Sequence, residues 1–239
     1  ANAAAITVGG ALKSLQISSA TGVSVMATGA IQKIQAGTWN STGMISAPSI
    51  KSINILGPAT IDVNTAVLHT LKVRGALTGS QLTLTGPGTM DLASLTAASI
   101  SNTAIDASGN LGAIKAATLT GSRIGAGIAS SVILPASAAD FAAASTIASV
   151  TLKKTAGAAS FVDSTIAAGT IKKASLGGVQ YSNGGMSFGV GAQGVNSLTF
   201  ADPTSGKSAT FNRVTSESIV AADLAAKGIS PQDFVIRIV

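Results

Sequence analysis

Side chains capable of chemistry are sparse in this chain and do not converge at catalytic spacing. Of 239 residues one is a histidine and none is a cysteine, and the nine acidic residues are eight aspartates and Glu217. Without cysteine there are no disulfides, thiolate metal sites or cysteine nucleophiles. His69 has no evident partner for a zinc set or a triad, so a solvated edge residue is expected there. Paired carboxylates for glycoside hydrolysis stand about 5–9.5 Å apart. Asp62 and Asp106 lie two repeats from one another, and Asp91, Asp140, Asp163 and Asp202 fall at corners or insertions. No catalytic, cofactor-binding or metal-binding residue is therefore assigned, and the chain reads as a non-enzyme.

The basic residues form a pattern of their own. Lys13, Lys33, Lys51 and His69 recur on four successive repeats, with Lys72 and Arg74 close by. A ladder of cations would engage an acidic polysaccharide or an anionic cell envelope. A solvated ridge that keeps sheets from associating sideways is the plainer reading. Nucleic acid is not an expected partner, because no aromatic residues interleave with the cations and Trp39 and Tyr181 stand alone. Regular threonine rows, which an ice-binding face requires, are not expected either. Thr83/Thr85 and Thr118/Thr120 are suitable pairs, but neighbouring repeats do not show them at the same offset.

The elements that must carry these residues are set by a six-residue phrase with apolar residues at its first, fourth and sixth positions. Copies read LKSLQI from Leu12, IQKIQA from Ile31, IKSINI from Ile50, LHTLKV from Leu68 and LASLTA from Leu92. They continue as LGAIKA from Leu111, ASSVIL from Ala129, IASVTL from Ile147, IKKASL from Ile171 and VNSLTF from Val195. The starts are 18, 19 or 24 residues apart, a period that marks a stacked solenoid. The fourth and sixth positions have strand spacing, and the residue between them is polar in most copies, which is inside–outside alternation. The segments VSV at Val23–Val25, IDV at Ile61–Val63 and LTL at Leu82–Leu84 predict a second face. Gly37, Gly57, Gly75 and Gly177 are expected to supply positive φ at corners. SAADFAAAST, residues 137–146, reads as an excursion, and the six-residue lengthenings after Leu68, Ile147 and Ile171 are expected to bulge at one corner.

The expected fold is all-β: a single-stranded, right-handed parallel β-helix of about ten coils of 18–24 residues, with a small C-terminal helix-plus-strand cap. Residues 1–200 form the array and residues 201–239 the capping or assembly segment. Within the latter, TSESIVAADLAAKG from Thr215 has the caps of a helix that stops at Gly228. The strand Phe234, Val235, Ile236, Arg237, Ile238 and Val239 either closes the last coil or adds to a neighbouring subunit. Composition agrees with a narrow stack, since 46% of residues are apolar, 3% are aromatic and 10% are charged. No apolar run reaches the roughly 18 residues of a membrane-spanning helix. The opening ANAAA suits a processed terminus or a fragment. The net charge of +6 lies wholly in residues 1–200.

The phrases GALKSLQI, APSIKSINILG and GNLGAIKAATLTGSRI resemble the Gly/Ser/Thr-rich coils of large bacterial secreted and cell-surface β-helix proteins, adhesin-like or fibre-forming. The resemblance covers about residues 6–200. It implies a structural or adhesive role outside the cell or on its surface, with homo-oligomerisation into a fibre or layer, and no cofactor. The same architecture also hosts polysaccharide-binding and polysaccharide-cleaving proteins, which is the second reading.

Overall fold

The structure, a computed structural model, describes residues 4–86, 90–142 and 144–239. Ala1–Ala3, at the head of the ANAAA segment, lie outside the described residues, as do residues 87–89 and Ala143. The chain winds as a parallel β-solenoid of about ten coils with three faces, here called A, B and C. Face A carries the phrase, with Leu15, Ile34, Ile53 and Leu71 in register and Leu95, Ile114, Val150, Ala174 and Leu198 continuing the stack. Face B stacks Ala20, Trp39, Ala59, Leu77, Ile100, Leu119 and Phe161. Face C has ten rungs, from Ala4–Val8 through Val23–Ala27 to the C-terminal strand Phe234–Ile238. Nine steps of about 4.8 Å make this a rod about 43 Å long.

Like residues stack on like because parallel, in-register pairing places each coil's inward side chain directly over the one below. Ile31, Ile34, Ile50, Ile53, Leu68 and Leu71 are fully buried, and the same holds for most of the column above them. Burying each such side chain contributes about 1.5–3 kcal/mol. Strands Ile34–Ile55 and Ala59–Val73 round the corner from face C to face A in register, whereas their register shifts between Asn40 and Met44 at the corner from B to C.

One copy of the phrase proves to be a decoy. Leu111 pairs directly with Ile147, so ASSVIL from Ala129 is not a coil. Ala129 is exposed and Ile133 is 64% exposed. The excursion therefore runs from Gly127 to Ser145, well beyond 137–146, and it lies across the outside of face C. Ile128 and Phe141 pack there on Ala167. Gly191 admits Pro135 where any Cβ would collide with the proline ring. Arg123 ties the segment down, donating to the carbonyls of Ala129 (2.8 Å) and Val132 (3.4 Å) while it is ion-paired with Asp106.

The lengthenings do not share a corner. One falls after Leu84 at the end of face C, where residues 87–89 lie outside the described part. The second, 153–160, separates faces A and B, and the third, 180–187, separates B and C. The corner glycines also act differently from expectation. Of the four named from sequence only Gly177 has positive φ, 65°. Gly37 and Gly75 are needed because a Cβ would strike the backbone of the coil below, at Ser18 and at Gly57–Pro58 respectively.

At the C-terminal end a strand not read from sequence, Ser208–Val214, turns back antiparallel on Phe188–Ala201 and forms the last rung of face A. Helix α1, Glu217–Ala226, follows and ends at Gly228 with φ 61°. Val220 and Leu224 of α1 are buried in the same core as the coils. Large rings fill this end: Phe234 lies 5.2 Å from Phe200, 5.7 Å from Phe188 and 5.9 Å from Phe161, measured between ring centroids.

Candidate interaction surfaces

The basic ridge is partly reassembled by the fold. Leu12, Ile31 and Ile50 are bridged in register, and Ile50 pairs with Leu68. The row beside them is therefore Lys13, Gln32, Lys51 and His69. Lys33 stands one residue outside that row, because its copy carries lysine at the third position and not the second. Gln32, Lys51 and His69 border a shallow cavity of about 410 Å3 with Ser49, Ser52 and Thr70. Lys72 lies on the outside of face A, in register with Asn54 and Thr96, and Arg74 follows it at the next corner. All six basic residues are exposed. None takes part in the ion pairs among the described residues, which are Arg123–Asp106, Lys227–Asp223 and Arg237–Glu217.

The C-terminal strand is seated within its own chain. Phe234 pairs with Phe188, Ile236 with Val190 and Ile238 with Ala192, and the amide of Val239 donates to Ala192 at 3.0 Å. Val235 and Arg237 alternate outward with the inward Phe234 and Ile236. Arg237 reaches Glu217 of α1 at 3.8 Å. Among the described residues the strand pairs along one edge. An apolar groove of about 650 Å3 runs between it and α1, lined by Val220, Leu224, Ile229, Phe234 and Ile236.

The carboxylates are dispersed. Asp62 accepts from the amide of Gln81 at 3.0 Å, and Asp106 is held by Arg123. Asp91 is not in a corner loop but at the start of strand Met90–Thr96, fully buried, with one oxygen accepting from the amide of Gly109 at 2.6 Å. Burial raises its pKa above the ordinary 3.8, against the lowering effect of that hydrogen bond. Tyr181 is pushed up to about 12 by burial and by the charge of Asp202. Among the described residues no three histidine or carboxylate side chains gather as metal ligands.

Sequence reading missed a ladder of buried hydroxyls at the corner between faces B and C. The amide of Ile61 donates to Ser80 (2.9 Å), that of Ser80 to Thr103 (3.4 Å), that of Thr103 to Ser122 (3.1 Å) and that of Ser122 to Ser164 (3.1 Å). Each hydroxyl then donates to the carbonyl two residues before it, at 2.7–3.3 Å. The residue ahead of each hydroxyl is left-handed: Gly79 (φ 59°), Asn102 (48°), Gly121 (55°) and Asp163 (42°). Glycine, asparagine and aspartate are the types that adopt this conformation most readily. The signal was present as TGS, SNT, TGS and VDS, at intervals too irregular to align by eye.

The outside of face B shows a second pattern hidden in the sequence. Register places Thr21, Asn40, Thr60, Thr78, Ser101 and Thr120 in one column over six coils. Two residues earlier stand Ser19, Thr38, Pro58, Ala76, Ser99 and Thr118 in a parallel column. The pair Thr118/Thr120 stands in these columns next to Ser99/Ser101 and Ala76/Thr78, and paired threonines do not recur along them. Hydroxyls touch along the columns, Ser19 to Thr38 at 3.0 Å and Thr78 to Ser101 at 3.2 Å.

Comparison with known proteins identifies no relative: no protein-family model, no curated protein and no solved structure matches this chain. The β-solenoid repeat fold is therefore established by the structure itself.

Proposed function

We propose that this chain is a non-catalytic structural or adhesive β-solenoid of the cell exterior or cell surface, which self-associates into a fibre or surface layer. The observation that carries the reading is the in-register stack of about ten parallel coils, of which the first described rung is apolar. Ile6, Val8, Leu12, Leu15 and Ile17 are half-buried, while the residues stacked on them, among them Val25, Ile31 and Ile34, have no exposure. Among the described residues Ala4–Val8 and Leu15–Thr21 each pair along one edge, with Val23–Ala27 and Ile34–Ile55 respectively, and the other edge would accept another strand. Covering this end with a further chain would bury the five side chains and satisfy those edges. Negative-stain imaging and light scattering of the purified protein test it. Rods or filaments longer than one 43 Å unit are expected, and Leu15→Lys should dissolve them. Particles that stay monomeric at high concentration would refute the assembly.

A second reading, binding of an acidic polysaccharide, is favoured by the exposed row Lys13, Gln32, Lys51 and His69, the last three of which border a shallow cavity. Binding would weaken with salt, since exposed charges are screened beyond about 10 Å at 0.1 M. Lys13→Ser with Lys51→Ser should reduce retention on immobilised acidic glycans, and unchanged retention would remove the row from consideration.

A further inference from the structure

We propose that a cup at the C-terminal end of face B binds a neutral sugar. Face B finishes where Phe161 is bridged to Val179, whose amide donates to the carbonyl of Ala201 at 2.9 Å. Four connections gather around this end. Residues 153–160 separate faces A and B, and residues 180–187 separate B and C. The turn 202–207 joins strand Phe188–Ala201 to Ser208–Val214, and residues 227–233 join α1 to the last strand. All four border one cavity of about 460 Å3, within the roughly 300–1,000 Å3 of small-ligand sites. Excursions from a solenoid are where its binding surfaces are built.

The lining selects the occupant. Tyr181 borders the cup half-buried, its ring 6.4 Å from that of Phe234 and inclined to it by 27°, so packing on the core fixes it. Gln180, Ser182, Asp202, Thr204 and Gln232 supply the polar groups. An amide or a carboxylate presents two polar atoms in one plane, a match for two neighbouring sugar hydroxyls, each of which donates once and accepts twice. An aromatic ring takes the C–H face of the same sugar. Gln232 has a left-handed backbone, φ 49°, where glycine would be free of strain. A glutamine in that conformation points to a use for its side chain and not for its backbone.

Other ligand classes fit less well. Among the described residues lining the cup, Asp202 is the only charged one. The Ser205 hydroxyl above all, with the amide of Thr204 at 2.9 Å, holds its carboxyl below the usual carboxylate range, so it is ionised at neutral pH. An anionic ligand is therefore repelled. An ammonium ion has donors only and would make no use of the amide N–H groups. An alkyl ligand would bury the amides and the carboxylate without partners. The cup is also separate from the lysine row, which lies on the first four coils at the other end of the rod.

Tyr181 is the only tyrosine in the chain, so its ultraviolet difference absorption and ring NMR signals read this site directly. Glucose, galactose, mannose and N-acetylglucosamine are titrated singly, with glucuronate and choline as charged controls. At least one neutral sugar should give a saturable change at the tyrosine signals, and the charged probes should give none. Gln232→Gly removes the amide and suits the left-handed backbone. It should weaken the binding roughly tenfold, as expected for the loss of about one hydrogen bond, with circular dichroism unchanged. If that variant misfolds, Gln180→Ala, at an exposed position, gives the same readout. Lys13→Ser with Lys51→Ser should bind as wild type. Absence of a saturable change with all four sugars overturns the proposal, as does wild-type affinity in a folded variant lacking both glutamines. A response to glucuronate or choline equal to that of the sugars also overturns it. Rod assembly is read by imaging and glycan retention by the lysine variants, so failure here is distinct from failure of either reading.

Discussion

Removing the hydroxyl of Ser122 should cost far more than a small surface-to-alanine change ordinarily does. Ser122 is 5% exposed and its Oγ accepts the amide of Thr103 from the neighbouring coil. In Ser122→Ala that amide is left buried without a partner. The carbonyl of Thr120, to which Ser122 donates at 2.8 Å, keeps the amide of Asn102 at 2.9 Å and stays satisfied. The loss is then one orphaned donor, about 1–3 kcal/mol. For a chain of this size each kcal/mol moves the melting temperature by about 2–4 °C, so a fall of roughly 2–12 °C is expected. Thermal and urea unfolding give the global value. Amide hydrogen exchange gives the local one, and Thr103 should exchange faster than its neighbours in face C. Ser122→Thr should be close to wild type, because Thr103 fills the equivalent place one coil away. A cost below about 0.5 kcal/mol, the ordinary range for surface changes, with Thr103 still protected, would show that the ladder does not hold the corner.

Three further outcomes follow from the same geometry. Asp91 has a folded-state pKa raised by burial, so its neutral form is the one the fold favours. Stability is therefore highest below the ordinary carboxyl value and falls as pH rises through the raised one. Asp91→Asn should exceed wild type in unfolding free energy at pH 7, with the gain vanishing below about pH 4, and a difference that is constant with pH would contradict this. Arg123→Ala should leave Asp106 without its partner and release the 127–145 segment. The ceiling is about 3–5 kcal/mol for a fully buried pair and the value should be smaller here, where 14–16% of each side chain is exposed. New protease cleavage between residues 129 and 136 would report the release, and an unchanged digest would refute the anchoring role. Gly37→Ala should destabilise by about 1–3 kcal/mol through overpacking against the Ser18 carbonyl, measured by urea unfolding. A neutral result would mean that the corner yields.

Legibility differed sharply between core and surface. The apolar columns were readable because inward residues recur at strand spacing whatever the loops do. Leu12, Ile31, Ile50 and Leu68 are stacked as the phrase implied. Helix α1 and the strand at Phe234 were readable from local caps and alternation. ASSVIL passed as a coil because a phrase with three apolar positions is easily met in an apolar-rich chain, and only pairing of Leu111 with Ile147 exposed it. Strand Ser208–Val214 was missed because its chain reversal leaves no trace in a parallel repeat.

Sequence by itself determined that this chain is a solenoid, where its core residues lie and which helix and strand finish it, since those depend on periods of two residues and on local capping. Tertiary structure alone decided which residues stand beside one another across coils. Insertions at three different corners shift the numbering by unequal amounts, so Thr78, Ser101 and Thr120 become neighbours at intervals of 23 and 19 residues. Backbone pairing counts rungs and not residues. For that reason the hydroxyl ladder and the uncharged columns of face B emerge only when the coils are stacked.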